Sequence, residues 1–177
     1  MGAPLLVAPL LDGALAHADA SGSQDAAGAE TLFAGRFKYA GKSTEDEVRK
    51  KSVEKAVSEF FALTRPIARK RLEAKTHIPE WIELKQKADV VVVQTEGRAA
   101  EPSSLKGATK GKDPDGNDAE FTARWDGDKL VQTVTTEEGK RTNTFAPQAD
   151  GSVKLSVELR SEKFETPIRY TLTYRRN

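Results

Sequence analysis

Three glycines in the second half of the chain constrain its fold more than any other feature. Gly127, Gly139 and Gly151 lie twelve residues apart, and each follows an acidic residue. Such pairs are typical of hairpin turns, which need a positive φ that glycine adopts without a Cβ clash. The intervening runs are long enough for strands, so residues 119–176 are predicted to form an antiparallel meander.

One face of this meander is apolar and the other is polar. The residues that share the first face are Phe121, Ala123 and Trp125, then Leu130, Gln132 and Val134, then Val153, Leu155, Val157 and Leu159, and finally Ile168, Tyr170, Leu172 and Tyr174. An antiparallel sheet can leave its polar face in water, but its apolar face has to be buried. The sheet must therefore close on itself or be covered by helices.

An earlier strand is predicted at residues 31–40. Its residues alternate, and the side chains that share its apolar face are Phe33, Gly35, Phe37 and Tyr39. Gly41 ends this strand and separates it from a helical pattern.

A first helix is predicted to begin near Ser43. Ser43 with Asp46, or Thr44 with Glu47, can form a capping box, in which hydroxyl and carboxylate satisfy exposed backbone donors. Apolar residues then recur near the helical period and form a stripe that must cover apolar surface elsewhere. The stripe consists of Val48, Val53, Ala56, Val57, Phe60 and Phe61.

A second, shorter helix is predicted over residues 66–75. Pro66 interrupts the first pattern and is tolerated in a first helical turn. The charged residues around this helix are mostly basic, which suits an anionic ligand or a membrane surface. No aromatic residues are interleaved among them, so a solvated helix face is the preferred interpretation.

The middle of the chain carries two more predicted strands and a long loop. Residues 79–85 place Ile82 and Leu84 on one face, and the valines of residues 90–95 predict a strand buried on both faces. Residues 98–118 are broken by glycines and prolines, so a long loop with one or two weak strands is expected. Its acidic residues match a calcium-binding EF-hand in composition but not in spacing, which favours a polar turn.

The composition argues against several classes of function. Lys and Arg total 28 and Asp and Glu total 27, so the net charge of +1 provides no general attraction to nucleic acid. The chain has no cysteine, and its two histidines are His17 and His77, with His17 in a predicted leader. These residues leave no cysteine nucleophile, histidine-dependent triad or multi-histidine metal site. We therefore expect no catalytic residues, no metal, no cofactor and no nucleic-acid partner.

The N-terminal region looks like an export leader followed by a spacer. Residues 5–11 are apolar, and Ala18-Asp19-Ala20 supplies a small-x-small cleavage pattern. The predicted organisation is a signal peptide at 1–20, a flexible spacer at 21–30 and a single domain at 31–177. The apolar run is too short to span a bilayer, so no integral membrane segment is expected after cleavage.

Export to the periplasm or the medium is therefore predicted, with an atypical leader. No Lys or Arg precedes the apolar run, although signal peptides usually carry a basic start. The alternative interpretation is an N-terminal tail without a role in export.

The meander carries a resemblance to a known family. Residues 125–133 read Trp-Asp-Gly-Asp-Lys-Leu-Val-Gln-Thr, and Gly139-Lys140, Asp150-Gly151 and Tyr174-Arg175 follow. These residues resemble the last strands of intracellular fatty-acid-binding proteins and, more broadly, of the calycin barrels to which lipocalins belong. The order of first strand, helix-turn-helix and remaining strands is similar as well. The resemblance implies a ten-stranded barrel with the helix pair as a lid over a cavity for a hydrophobic ligand.

The chain departs from this family where the family holds its ligand. Binding members place an Arg-x-Tyr pair in the last strand, whereas this chain has Leu172-Thr173-Tyr174. A second internal arginine of the family would fall near Phe145 or Ala146, neither of which can pair with a carboxylate. The expected ligand is therefore a neutral apolar small molecule.

The predicted fold is mainly β with helices. It is a β-barrel, or a strongly curled antiparallel sheet, with a helix-turn-helix inserted after the first strand. The alternative is an α+β, cystatin-like sheet wrapped on one long helix, which predicts no enclosed cavity.

The predicted function is non-catalytic binding of an apolar ligand by an exported, lipocalin-like monomer. The alternative is an envelope structural or protein-interaction domain with a solid core and no ligand. For Tyr170 and Tyr174, core packing is the alternative to contact with a ligand. The candidate ligand-lining residues are Phe33, Phe37, Tyr39, Phe60, Leu155, Val157, Tyr170, Leu172 and Tyr174.

Overall fold

The structure is a computed structural model that describes residues 34–176. The helices are α1 (Ser43–Ser58) and α2 (Arg65–Lys75). The strands are β1 (Gly35–Tyr39), β2 (Trp81–Lys87), β3 (Val90–Thr95), β4 (Glu101–Ser104), β5 (Thr109–Lys112), β6 (Asp118–Asp126), β7 (Lys129–Thr136), β8 (Gly139–Pro147), β9 (Ser152–Ser161) and β10 (Phe164–Arg176). The predicted signal peptide, the predicted spacer and Phe33 lie outside the described residues. Neither helix of residues 34–176 has the length and apolar character needed to cross a membrane.

The strands form one sheet that closes into a barrel. Neighbouring strands follow the order β4-β3-β2-β1-β10-β9-β8-β7-β6-β5. A bridge between Ser104 of β4 and Thr122 of β6 closes a ring of nine strands, while β5 pairs with the first half of β6. The prediction of a mainly β fold with a helix pair after the first strand is confirmed. The cystatin-like alternative is not adopted, because the sheet closes on itself instead of wrapping around one helix.

The meander predicted from the glycine spacing is confirmed. Gly127, Gly139 and Gly151 have φ values of +61°, +152° and +77°. Strands β6 to β10 pair consecutively, each antiparallel to the next. Positive φ at each turn is what the Asp-Gly and Glu-Gly pairs predicted.

β3 is buried on one face only, which corrects the prediction of burial on both. Val91 and Val93 are buried, whereas Val92 is half-buried and Val90 is exposed. The reason is the placement of the helices: α1 packs along β10 and α2 packs against α1, which leaves the outer face of β3 uncovered.

α1 begins without the predicted capping box. Lys42 is the N-cap residue, and no side chain caps the first turn. Asp46 instead pairs with Arg49 and Lys50, with a carboxylate-to-nitrogen distance of 2.7 Å in each case. Charge-assisted partners bind a carboxylate more strongly than a neutral backbone donor does, so Asp46 turns to the cations.

The predicted apolar stripe of α1 is only partly buried. Val53, Ala56 and Val57 enter the core, but Val48 is 52% exposed and Phe61 is 88% exposed. The helix ends at Ser58, so the helical period no longer determines where Phe61 points. At the other end, Arg49 takes the inward position four residues before Val53, and its guanidinium donates to the Thr76 hydroxyl at 3.1 Å.

α1 lies along the free edge of β10. β1 pairs only with residues 174–176 of β10, which leaves the earlier part of that edge without a strand partner. Three side chains spaced seven residues apart, two in α1 and one at its C-cap, accept hydrogen bonds from backbone N–H groups of this edge: Glu45 from Thr173, Ser52 from Arg169 and Glu59 from Thr166. Seven residues make two helical turns, so these three side chains share one face of α1. α1 therefore takes the place of a strand beside β10.

The predicted loop at residues 98–118 contains the two short strands β4 and β5, as expected. Between β5 and β6, the Asp113 carboxylate accepts hydrogen bonds from the backbone N–H groups of Asp115 and Asn117 and from the Asn117 side chain. This is the polar turn that the spacing of the acidic residues favoured.

The barrel interior is filled mainly by side chains. Ile82 and Leu84 of β2 are fully buried, as their alternation predicted, and they join aromatic residues from β1, β8 and β10. Among the largest fully buried side chains are Tyr174, Phe37, Phe121, Phe145, Leu130, Ile168 and Leu172. These side chains occupy the middle of the barrel.

Candidate ligand-binding cavity

A cavity of about 440 Å³ lies between the helix pair and the barrel. Its walls come from the α1–α2 connection, from α2, from the β3–β4 connection, and from the β5–β6, β7–β8 and β9–β10 turns with the adjoining strand ends. Small-molecule sites in proteins have volumes of about 300–1,000 Å³, so the cavity is large enough for one such ligand.

Apolar side chains line much of this cavity. Phe60 follows α1, Leu72 lies on α2, and Leu159 and Phe164 flank the β9–β10 turn. The ring centroids of Phe60 and Phe164 lie 6.4 Å apart, so the helix pair and this turn are in contact. This wall is suited to a hydrocarbon ligand.

α2 contributes both apolar and basic residues to the cavity wall, the basic ones being Arg71 and Lys75. Ala68 and Leu72, four residues apart, are buried on the cavity side. On the other side, the Arg69 guanidinium donates two hydrogen bonds to Glu54 of α1, at 2.6 and 2.7 Å. This bidentate pair holds the two helices together, so part of the basic cluster has a structural role.

The polar lining of the cavity includes Arg98, Glu101 and Arg141. Arg98 lies in the β3–β4 connection, and its Nη2 donates to the carbonyl oxygen of Ala74 in the last turn of α2, at 3.4 Å. Burial, followed by the nearby charge of Arg141, lowers the pKa of the Arg98 guanidinium. Two cations therefore face one partly dry space.

A chain of side-chain hydrogen bonds lies behind Arg141. Its Nε donates to Asn143 Oδ1 at 2.9 Å, and Asn143 Nδ2 donates to Gln132 Oε1 at 2.8 Å. Gln132 Nε2 donates to Ser103 Oγ at 3.1 Å and to Glu101 Oε2 at 3.3 Å. Since Ser103, Gln132 and Asn143 are buried, the chain links the barrel core to the cavity and fixes the orientation of Arg141.

A cluster of ion pairs ties the end of α2 to the barrel turns at the cavity rim. Lys75 Nζ lies 2.6 Å from Glu138 and 3.2 Å from Asp115, and Lys163 Nζ lies 3.0 Å from Glu138. Hydrogen bonds from Lys75 and Lys163 lower the pKa of Glu138 to about 2. The carboxylate of Glu138 thus joins α2, the β7–β8 turn and the β9–β10 turn.

Of the sequence-predicted ligand-lining residues, Phe60 lines this cavity. Tyr39 is half-buried beside Tyr174, with ring centroids 5.6 Å apart, and Phe33 lies outside the described residues. The remaining candidates are buried in the core: Phe37, Leu155, Val157, Tyr170, Leu172 and Tyr174.

The two core tyrosines are held by packing. The Tyr174 hydroxyl donates to the carbonyl oxygen of Pro79 at 3.1 Å. Burial raises the pKa of both Tyr170 and Tyr174, so their phenol groups stay neutral. The core-packing interpretation describes their surroundings in this structure.

The sequence analysis did not identify Arg98, Arg141, Leu72 or Phe164 as site residues. Arg141 could have been found from the alternation of β8, because it shares a face with Asn143 and Phe145. The position of Arg98 depends on how the β3–β4 connection folds over the barrel, which no local pattern specifies.

A second, more open groove of about 780 Å³ lies outside the barrel. It runs between the start of α1 and the outer faces of β8, β9 and β10, where threonines such as Thr142, Thr144 and Thr171 dominate. Its polar walls make it a less suitable site for an apolar ligand than the cavity under α2.

The sequence matches no protein-family model and no curated protein. Among solved structures, the chain is similar to apo lipid binding protein 8 of Caenorhabditis elegans, at 12% identity and a TM-score of 0.53, covering 83% of this chain and 96% of the other. It is similar to a fatty acid binding protein of Schistosoma mansoni in complex with arachidonic acid, at 14% identity and a TM-score of 0.50, covering 84% and 98%. A third similar structure is an abundant heat soluble (SAHS) protein of Ramazzottius varieornatus, at 7% identity and a TM-score of 0.54, covering 82% and 96%.

At these identities the likeness establishes the fold, and the ligand has to be argued from the cavity itself. The closed barrel, the helix pair after the first strand and the likeness to these structures agree with the resemblance found in the meander. The chain has the calycin-type barrel fold of the fatty-acid-binding proteins.

Proposed function

We propose that this protein is a non-catalytic binding protein that holds one apolar small molecule between its helix pair and its barrel. The observation that carries this proposal is the cavity of about 440 Å³, with Phe60, Leu72, Leu159 and Phe164 on its walls. Removing a hydrocarbon from water into such a space contributes about 25 cal/mol for each Å² of apolar surface buried.

The similar structures support this proposal. Two of the similar proteins are a lipid binding protein and a fatty acid binding protein, the latter in complex with arachidonic acid. In this chain, the packed core beneath the cavity favours the space under α2 as the ligand site.

The proposal of binding without catalysis rests on the groups that face the cavity. The lysines that line it, Lys75 and Lys163, pair with Asp115 and Glu138 at the rim, and Glu101 accepts a hydrogen bond from Gln132. Within residues 34–176, no three His, Cys, Asp or Glu side chains are grouped to hold a metal ion.

We also propose that the protein is exported and works as a monomer. The support for export is the apolar run at residues 5–11 with the Ala18-Asp19-Ala20 cleavage pattern. N-terminal sequencing of the protein recovered from its cells is expected to begin at Ser21. A chain that still begins at its first residues would contradict export through this leader.

The binding proposal is tested on the full chain after refolding from denaturant, which removes bound lipid. Titration with an environment-sensitive fatty-acid or retinoid probe is expected to show saturable binding of one probe per chain. No saturable binding of any apolar probe by folded protein would exclude this function and favour the alternative of a structural or interaction domain.

A cavity-filling variant shows whether the probe binds under α2. Ala68 lies buried on the cavity side of α2, so Ala68→Trp places an indole in the cavity. The variant is expected to bind the probe about tenfold more weakly or worse, because the ligand and the indole compete for the same volume. Lys70→Trp, at an exposed position of the same helix, is the matched control and is expected to bind like the unmodified chain.

A further inference from the structure

Three large apolar side chains are exposed where α1 is joined to α2. Phe61 is 88% exposed, Leu63 is 93% exposed, and Ile67, in the first turn of α2, is 61% exposed. Single exposed apolar residues are common on protein surfaces, but a cluster of this kind is typical of a contact surface. We call these three residues the connection patch.

The connection patch adjoins a basic surface. Residues 65–75 contain five Lys or Arg residues and one acidic residue, so their net charge is +4. Lys70 and Arg71 follow Ile67 by three and four residues, so they lie on the same side of α2. Within residues 34–176, neither of these two cations forms an ion pair. The surface therefore suits a partner that combines apolar and acidic residues.

The N-terminal part of the chain has this complementary composition. Residues 1–33 contain four acidic residues and no Lys or Arg, so their net charge is −4. Their apolar run at residues 5–11 is followed directly by Asp12. An export leader usually carries cations before its apolar run, so this pattern is unusual for a leader and fits a basic, apolar surface.

Residues 5–11 are able to reach the connection patch. The described chain begins at residue 34, just before β1, and β1 pairs with the end of β10 at Arg176. Towards the other end of β10, the Thr166 N–H donates to Glu59 at the C-cap of α1. These two positions of β10 are ten residues apart, which is about 34 Å. The 22 residues between the apolar run and residue 34 span about 75 Å when extended, which is more than enough.

We propose that residues 5–11 bind the connection patch of their own chain, and that Asp12 lies beside Lys70 and Arg71. This inference goes beyond the proposed ligand binding and does not depend on it. The contact needs little affinity, because a tether holds the segment at an effective concentration of about 1 mM. Cleavage after Ala20, as proposed for export, would remove the segment and expose the patch.

Paramagnetic NMR on the full chain tests this contact. The chain has no cysteine, so Ala3→Cys provides a unique site for a nitroxide label two residues before the apolar run. The label is expected to broaden the backbone amide signals of residues 60–71 more than those of the β8–β9 turn at residues 148–151. That turn lies beside the end of β10 at which the N-terminal segment joins the barrel. Broadening at residues 60–71 that is no stronger than at the turn would overturn the inference.

Variants of the labelled chain test the apolar and the charged parts of the contact. Leu6→Ser and Asp12→Lys change the N-terminal segment and leave residues 34–176 as they are, so the barrel is expected to fold. Each is expected to reduce the broadening of residues 60–71, and Leu63→Ser should do the same from the side of the patch. Val90→Ser, at an exposed apolar position of β3, is the matched control and is expected to keep the broadening. Unchanged broadening in both Leu6→Ser and Leu63→Ser would contradict the proposed contact.

A mixture of two samples shows which molecule supplies the segment. One sample carries the isotope label without the nitroxide, and the other carries the nitroxide without the isotope label. The broadening of residues 60–71 is expected to be lost in this mixture, because the contact forms within one chain. Equally strong broadening in the mixture would assign the patch to a second copy of the chain and overturn the inference.

Discussion

Gly139 is the least replaceable of the three turn glycines, because its surroundings leave no room for a side chain. It begins β8 with a φ of +152°, and a Cβ added there would clash with the backbone carbonyl of Arg160. A Cβ added at Gly127 would meet nothing within 4 Å. We expect Gly139→Ala to lower the free energy of unfolding by about 3 kcal/mol or more, and Gly127→Ala by about 1 kcal/mol. Urea denaturation measures both, and equal losses would contradict the predicted clash.

Glu138 makes the stability of the folded chain depend on acid pH. Hydrogen bonds from Lys75 and Lys163 lower its pKa from 4.5 to about 2 in the folded state. Between these two values the unfolded chain binds more protons than the folded chain, so the contribution of Glu138 is complete above pH 4.5 and is lost as the pH falls towards 2. The Glu138 side chain is 39% exposed, so solvent screening limits this contribution to about 1 kcal/mol.

The comparison of two variants at two pH values tests this linkage. Glu138→Gln is expected to lower the free energy of unfolding at pH 7 and to have a smaller effect at pH 3, where Glu138 in the unfolded chain is protonated. Glu137→Gln, at the exposed neighbouring position, is the matched control. A loss for Glu138→Gln that is the same at both pH values would exclude the linkage.

At the scale of elements, α1 is attached to the edge of β10 by side-chain hydrogen bonds. Glu45 accepts a hydrogen bond from the Thr173 backbone N–H at 3.0 Å and from its hydroxyl at 2.7 Å. We expect Glu45→Ala to lower the free energy of unfolding by about 1–2 kcal/mol, because it leaves a partly buried donor without its acceptor. Hydrogen exchange should accelerate at the Thr173 amide and remain unchanged at Val157, which pairs with Tyr170 in the sheet.

Glu47→Ala is the matched control for this attachment. Glu47 lies on the exposed side of the same helix, two residues from Glu45. It is expected to change neither the unfolding free energy nor the exchange at Thr173. Equal exchange at Thr173 in the two variants would show that α1 is held by its apolar side chains alone.

Elements with a strong local signal could be predicted from the sequence, and those that depend on distant partners could not. The glycine turns and the alternation of β2 follow from local rules, because φ at a turn and the period of a strand are set by neighbouring residues. The predicted capping box of Ser43 and Asp46 does not form, because Asp46 has charged partners within its own helix. The prediction that β3 is buried on both faces was wrong, because its valines meet the core on one face only. Which faces of a strand are covered depends on where the helices pack.

At the scale of the whole molecule, the sequence predicted which residues point inwards but not where the interior remains open. Leu155, Leu172 and Tyr174 face inwards as predicted from alternation, and they are buried against one another in the core. Whether an inward face meets a void depends on the side chains that come from the opposite wall, which are distant in sequence. Arg98 and Arg141 likewise meet only through the closure of the barrel.

This distribution of filled and open space predicts that stability and binding can be changed separately. Leu172 is 1% exposed and pairs across the sheet with Leu155, at a position that does not line the cavity. We expect Leu172→Ala to lower the free energy of unfolding by about 2–5 kcal/mol, because it leaves a void in a packed core. The Kd of the folded variant for an apolar probe should stay within about twofold, since distant sites act independently.

Urea denaturation and probe titration on the same preparation measure both quantities. Ala68→Trp is expected to give the opposite result, with weaker binding and a smaller change in stability, because Ala68 lines the open space under α2. If Leu172→Ala instead weakens binding as strongly as Ala68→Trp does, the ligand reaches the deep interior. In that case the barrel core must open to admit the ligand, and the last strand contributes to the binding site.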